Sequence, residues 1–180
     1  MKRILALVLI FVMLASFAAC SSGEGVEIPD DMQLASDTEV SNWYFFVPSG
    51  WSVTTTGTFS MAYVPIAELV SVSFTDFSAA GYTSAEEYWD GSFDKLKNIY
   101  SDLEMIEEAA DTTLSGYAAK RYVYTATYGG DNIKFMQILM YKNGSIYSFM
   151  YSADVEVYDT YASYVDKMLE EFMFKHQAED

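Results

Sequence analysis

The chain has 180 residues, 26 Asp plus Glu against 10 Lys plus Arg, and a formal net charge of −16. A surface this acidic repels phosphates and anionic headgroups, which excludes nucleic-acid partners and a polybasic grip on lipid. At 51% apolar and 17% aromatic the chain is not disordered throughout; one Cys excludes an internal disulfide framework, and one His excludes multi-His metal sites.

Met1-Lys2-Arg3 is a short basic start. Ile4 to Ala19 follows, and Ser16 is its only polar residue. Roughly 20 apolar residues are needed to span a bilayer, so residues 1–19 read as a secretory signal peptide. Phe17-Ala18-Ala19-Cys20 resembles the lipobox of bacterial lipoproteins, with Phe17 where that family usually has Leu. The resemblance implies a diacylglycerol on the Cys20 sulfur and cleavage before Cys20. The protein is then lipid-anchored on the extracytoplasmic face of a cell membrane. One alternative is ordinary cleavage after Ala18 and free secretion; another leaves Cys20 as a buried thiol.

Residues 20–38 carry Glu24, Glu27, Asp30, Asp31 and Asp37, with Gly and Pro and no aromatic or basic residue. This composition predicts a flexible acidic tether that reaches about 60 Å when fully extended at ~3.3 Å per residue. The folded domain is expected over 39–175, with 176–180 as a polar tail. Asn42 to Val47 is aromatic and β-branched and stops at Pro48-Ser49-Gly50. Trp51 to Thr54 and Thr58 to Val64 flank Gly57 as a hairpin. Val70, Val72 and Phe74 alternate with small polar residues as a half-buried strand should.

The period then changes. Thr83 and Ser84 are candidate N-caps with Glu86 and Glu87 three residues on, two overlapping capping boxes. Trp89, Phe93, Leu96 and Tyr100 form one helical stripe, interrupted by Gly91, which costs about 1 kcal/mol against Ala. Leu103 to Thr113 reads as extended. Tyr117 to Tyr128, Ile133 to Tyr141 and Ser145 to Tyr151 read as three strands. Gly129-Gly130-Asp131-Asn132 and the favoured hairpin pair Asn143-Gly144 join them. Asp154 is a candidate cap for a second helix, whose stripe is Tyr158, Tyr161, Val165, Met168 and Phe172. Strands, helix, strands, helix with hairpin connections predict an α+β domain: an antiparallel sheet of about six strands packed by helices.

The run Trp43-Tyr44-Phe45-Phe46-Val47-Pro48-Ser49-Gly50-Trp51 resembles the opening of PsbP-like domains. The middle helix, Gly116 to Arg121 before a Tyr-rich strand, the Asn143-Gly144 hairpin and the closing Phe172-Met173-Phe174 follow in the same order. The resemblance covers Asn42 to Lys175. It implies an antiparallel sheet sandwiched by helices on both sides. It also implies a non-enzymatic role, because the best-known members, an extrinsic subunit of photosystem II and a Ran-binding nuclear import factor, act by binding larger partners.

Residues for catalysis are sparse. A nucleophile needs a base within reach, and the one imidazole, His176, falls in the polar tail. The acid pairs Glu86/Glu87, Glu107/Glu108 and Glu170/Glu171 suit caps and solvated faces rather than two carboxylates across a cleft. Asp154 to Asp159 offers three acids without the glycine or distal glutamate of an EF-hand. No enzyme activity, cofactor or metal is expected. Tyr122, Tyr124, Tyr128, Tyr141, Tyr147 and Tyr151 lie on the predicted meander and form the candidate interaction surface, since tyrosine offers a large contact area with a polar tip. The expected function is a membrane-anchored module that binds an envelope protein or complex. The alternative is a receptor for a small ligand or cell-wall saccharide.

Overall fold

A computed structural model describes residues 26–66 and 69–178; the signal peptide expected over 1–19 and Cys20 lie outside this range. Seven antiparallel strands form one sheet: β4 (Ser52–Thr56), β5 (Phe59–Tyr63), β6 (Ser71–Ser78), β7 (Glu104–Leu114), β8 (Tyr117–Tyr128), β9 (Asp131–Lys142) and β10 (Ser145–Asp154). Their order across the sheet is β4-β5-β6-β10-β9-β8-β7. The expected three-strand meander is present as β8, β9 and β10 and gains β7 as a fourth strand. Asn143 and Gly144 both take positive φ (53° and 79°), the geometry a tight primed turn requires.

The aromatic run at 42–47 does not join this sheet. It divides into β2 (Trp43–Tyr44) and β3 (Phe46–Pro48), which pair with β11 (Met173–Phe174) and β1 (Met32–Leu34). The flexible tether expected over 20–38 is therefore corrected for its described part. Met32 to Leu34 pairs antiparallel with Pro48 to Phe46, Met32 and Ala35 are buried, and Val26 and Ile28 pack against the core. Long-range pairing supplies the order that local composition lacks. Helix α1 (Ala85–Ile99) follows β6, helix α2 (Ala162–Glu171) follows β10 after a 3₁₀ turn at Tyr158–Thr160, and a terminal turn, α3 (Lys175–Ala178), closes the chain.

Strand alternation gives the sheet two apolar faces, and both are covered. On one face Val72, Phe74, Ile138 and Phe149 pack under β2, β3 and α2. There Trp43 meets Phe74 edge-on at 4.6 Å, and Phe74 lies 4.5 Å from Phe172. On the other face Tyr122, Tyr124, Phe135 and Ile146 pack under α1, where Trp89 stacks on Tyr122 at 4.0 Å. This is the layered α+β arrangement the sequence predicts. The edge strand β7 is broken by register shifts around Glu107 and carries Glu104, Glu107, Glu108 and Asp111. Bulges and charge of this kind block edge-to-edge pairing.

Helix α1 begins as its capping signals predict, with one change of partner. The Ser84 hydroxyl accepts from Glu87 N at 3.0 Å, but the Glu87 carboxylate reaches back to the backbone N–H and hydroxyl of Thr83 rather than to Ser84. Those bonds, the backbone one first, hold the Glu87 carboxyl below its ordinary pKa. Ser84→Ala is expected to lower unfolding free energy by about 1 kcal/mol in urea titration with an unchanged m-value. Gly91 has a packing reason: a Cβ there would run into the Tyr82 hydroxyl. Asp154 does not cap α2. Its carboxylate turns the chain locally by accepting from Glu156 N at 2.8 Å, and α2 starts eight residues later.

Candidate functional site

Four of the six tyrosines expected at an interaction surface are core residues. Tyr122 and Tyr124 are buried under α1, while Tyr147 and Tyr151 are buried on the opposite face. Only Tyr128 and Tyr141 are exposed. The correction has a simple cause: both faces of the sheet carry a second layer, so a tyrosine at either parity is covered. Burial pushes the Tyr122 phenol up to about 12 and raises Tyr124 and Tyr151 as well.

A candidate concavity lies instead beside α1. Three segments meet there: the end of β6 with the following loop, the exposed flank of α1, and the middle of β9 and β10. They enclose an open groove of about 610 Å³. Phe77, Tyr82, Tyr88, Trp89 and Met150 give it apolar walls, and Gln137, Ser92 and Lys95 add polar groups. The aromatic walls are ordered by one another: Phe77 and Tyr88 lie 5.3 Å apart, and Tyr82 meets Tyr88 edge-on at 5.6 Å. Beneath, Gln137 donates to the Ser148 hydroxyl at 3.1 Å, a buried polar pair on an otherwise apolar sheet. Trp89 lines the groove, and its indole N–H is buried with no acceptor among the described residues. A buried donor without a partner costs about 1–3 kcal/mol. Ile99, at the far end, is two-thirds exposed.

A second concavity of about 550 Å³ sits at the start of α1 beside β7 and β8, with Tyr141 on its rim. Its charges are already matched. Lys120 lies 2.8 Å from Asp111 and 2.9 Å from Glu86, and its hydrogen bonds lower both carboxyls. Arg121 and Glu107 pair through two bonds of 2.6 and 3.0 Å, which hold the Glu107 carboxyl down. Among the described residues no group of three His, Cys, Asp or Glu could hold a metal ion. His176 lies 3.1 Å from the Tyr117 hydroxyl and stacks on Phe174, while Gln177 bonds Ser115 and Phe174 N. The described part of the expected polar tail is thus docked on the body.

No described helix is long and apolar enough to cross a membrane. No family model matches the chain, and no curated protein matches it. Solved structures do match. The solution structure of cyanobacterial PsbP (CyanoP) from Synechocystis sp. PCC 6803 superposes with a TM-score of 0.61 at 17% identity, over 86% of this chain and 98% of that one. The fold is that of the PsbP-like domains. A Pseudomonas aeruginosa protein of unknown function, PA94, described as a putative regulator, superposes at 0.58 with 12% identity, covering 78% of this chain and 94% of its own. LpqN of Mycobacterium tuberculosis, described as involved in cell envelope biogenesis, superposes at 0.54 with 11% identity, over 79% and 89%. At these identities the PsbP-like likeness carries the architecture and no residue role. The α1 groove is argued from this chain's own side chains. It draws on segments far apart in sequence, and its one local signal is the aromatic density of Tyr82, Tyr88 and Trp89 around a helical glycine.

Proposed function

We propose that the protein is a non-enzymatic binding module, held on the extracytoplasmic face of a cell membrane by lipid on Cys20, that takes a segment of an envelope protein into the groove beside α1. The observation that carries this reading is the groove itself: an aromatic-walled trough of mixed polar and apolar lining with no nucleophile-base pair among its described residues. From Tyr88 to Ile99 it runs along roughly 16 Å of helix at ~1.5 Å per residue, the length of about five extended residues. Its aromatic walls suit apolar side chains, and Lys95 on its lining suits an acidic flank. The likeness to an envelope-biogenesis protein is in keeping with the compartment.

The test is crosslinking in the producing cell with a photoreactive residue at Ser92, read against one at Ile106 on the far edge strand. A discrete adduct at Ser92 alone is expected, and Tyr88→Ala should reduce its yield at least tenfold, the scale of an interface hot spot. Equal adducts at both positions would remove the groove from the reading. The aromatic walls also favour a second reading, capture of a small ligand or wall saccharide. Saturable shifts of the Trp89 indole signal on adding wall fragments, with no protein adduct, would favour it over the first.

A further inference from the structure

Four of the chain's cationic side chains, Lys97, Lys120, Arg121 and Lys134, lie within 4 Å of a carboxylate. Lys142 and Lys175 do not pair in this way with any described carboxylate. They converge on one open cleft of about 380 Å³, where the turn between β9 and β10 meets the C-terminal segment. Asn42, Asn143, Tyr147, Phe174 and His176 complete its described lining, and among the described residues no Asp or Glu joins them. In a chain with 26 acidic residues, this concavity is distinguished by two lysines on its lining with no described carboxylate beside them.

The lining groups are also held in place. The Lys142 ammonium sits 3.6 Å from the Tyr117 ring centre and 4.1 Å from that of Phe174, so ring faces replace part of its water. A less hydrated charge attracts an anion more strongly than a lysine in bulk solvent. Lys175 donates one proton to the Thr38 carbonyl and keeps two. The Tyr147 residue is 5% exposed, and its hydroxyl accepts from the Asn42 amide at 3.1 Å. Its own proton therefore remains to be donated. The His176 ring lies against Phe174 and extends the aromatic wall.

We propose that this cleft binds a small organic anion, with carboxylate or phosphate oxygens between Lys142 and Lys175 and an apolar body against the exposed ring of His176. Lysine acts as a point charge and serves either oxyanion. The site is separate from the α1 groove and does not depend on the lipid anchor. Titration of the mature protein with sodium benzoate, and separately with inorganic phosphate, at constant ionic strength tests it by amide NMR. Saturable shifts confined to Asn143, Lys175, His176 and their neighbours are expected. Lys142→Gln should weaken them about tenfold, as loss of a charge-assisted hydrogen bond does. Tyr147→Phe keeps the ring and should cost roughly threefold or more. Lys167→Gln, at a lysine elsewhere, should leave the affinity within about twofold. Benzoate binding tighter than phosphate identifies an organic anion, and the reverse identifies free phosphate. Shifts that grow linearly without saturating, or that Lys167→Gln reduces as much as Lys142→Gln, overturn the proposal. Near-UV circular dichroism confirms that each variant remains folded.

Discussion

Trp43→Ala is expected to cost about 4 kcal/mol of stability, the range for deleting a fully buried large aromatic. Trp43 has no exposed surface and closes the face opposite α1. Its ring packs edge-on against Phe74 at 4.6 Å and lies 6.4 Å from Phe172, while its indole N–H donates to Asp76 at 2.7 Å. It also pairs with Phe174 in the short ladder that binds the C-terminal segment to the N-terminal one. Deletion therefore opens a cavity, removes a partner from a half-buried carboxylate and loosens β11. A domain of this size holds only about 5–15 kcal/mol in total, so a fall in Tm on the order of 10 °C should follow. Trp43→Phe keeps most of the apolar volume and should lose roughly 1–2 kcal/mol, the hydrogen bond and a small void. Thermal melts followed in the near-UV, with urea titrations for free energy, separate the two. A loss under about 1 kcal/mol for the alanine variant would mean that this face is not the tightly packed layer described.

The parts of the fold that could be read from sequence are those whose cause is local. Alternation in Val70 to Thr75 and in the meander marks strands because side chains change face at every residue. Asn143-Gly144 marks a hairpin because both positions need positive φ. The stripe from Trp89 to Tyr100 and the Ser84 cap mark α1. Where the cause lies far along the chain, sequence reading fails. Met32-Gln33-Leu34 has no strand signal of its own and is ordered by Phe46 to Pro48; Gln33 then ties three carbonyls, of Pro48, Ser49 and Trp51. The tyrosines failed for the same reason. Their strand alternation was plain, but exposure depends on what covers each face, and both covers come from distant segments. The α1 groove and the Lys142–Lys175 cleft are assembled from separate elements, so neither had a motif to find.

Once residues 1–19 are removed, Cys20→Ser is expected to move the protein from the membrane fraction to the soluble one, a change of at least a hundredfold in partition. The lipobox-like Phe17-Ala18-Ala19-Cys20 places the one thiol of the chain where lipid attachment needs it. Each buried methylene contributes about 0.8 kcal/mol, one acyl chain binds only marginally, and two or three hold firmly. No other feature competes, because a net charge of −16 opposes adsorption to anionic lipid. The packing of Val26 and Ile28 against the core adds a geometric consequence. Five residues lie between Cys20 and Val26, so six steps of ~3.3–3.6 Å give a leash of about 20 Å, not the 60 Å of a free tether. The strands β8 and β9 are each about 40 Å long, so lipid on Cys20 would keep the body within its own dimensions of the bilayer. A partner taken up beside α1 must then lie close to the membrane. Inserting about 20 Gly-Ser residues after Ser22 should leave fractionation unchanged and lower the yield of the Ser92 crosslink. Mass spectrometry of the mature protein showing an unmodified thiol, or Cys20→Ser still pelleting with membranes, would remove the anchor from the account.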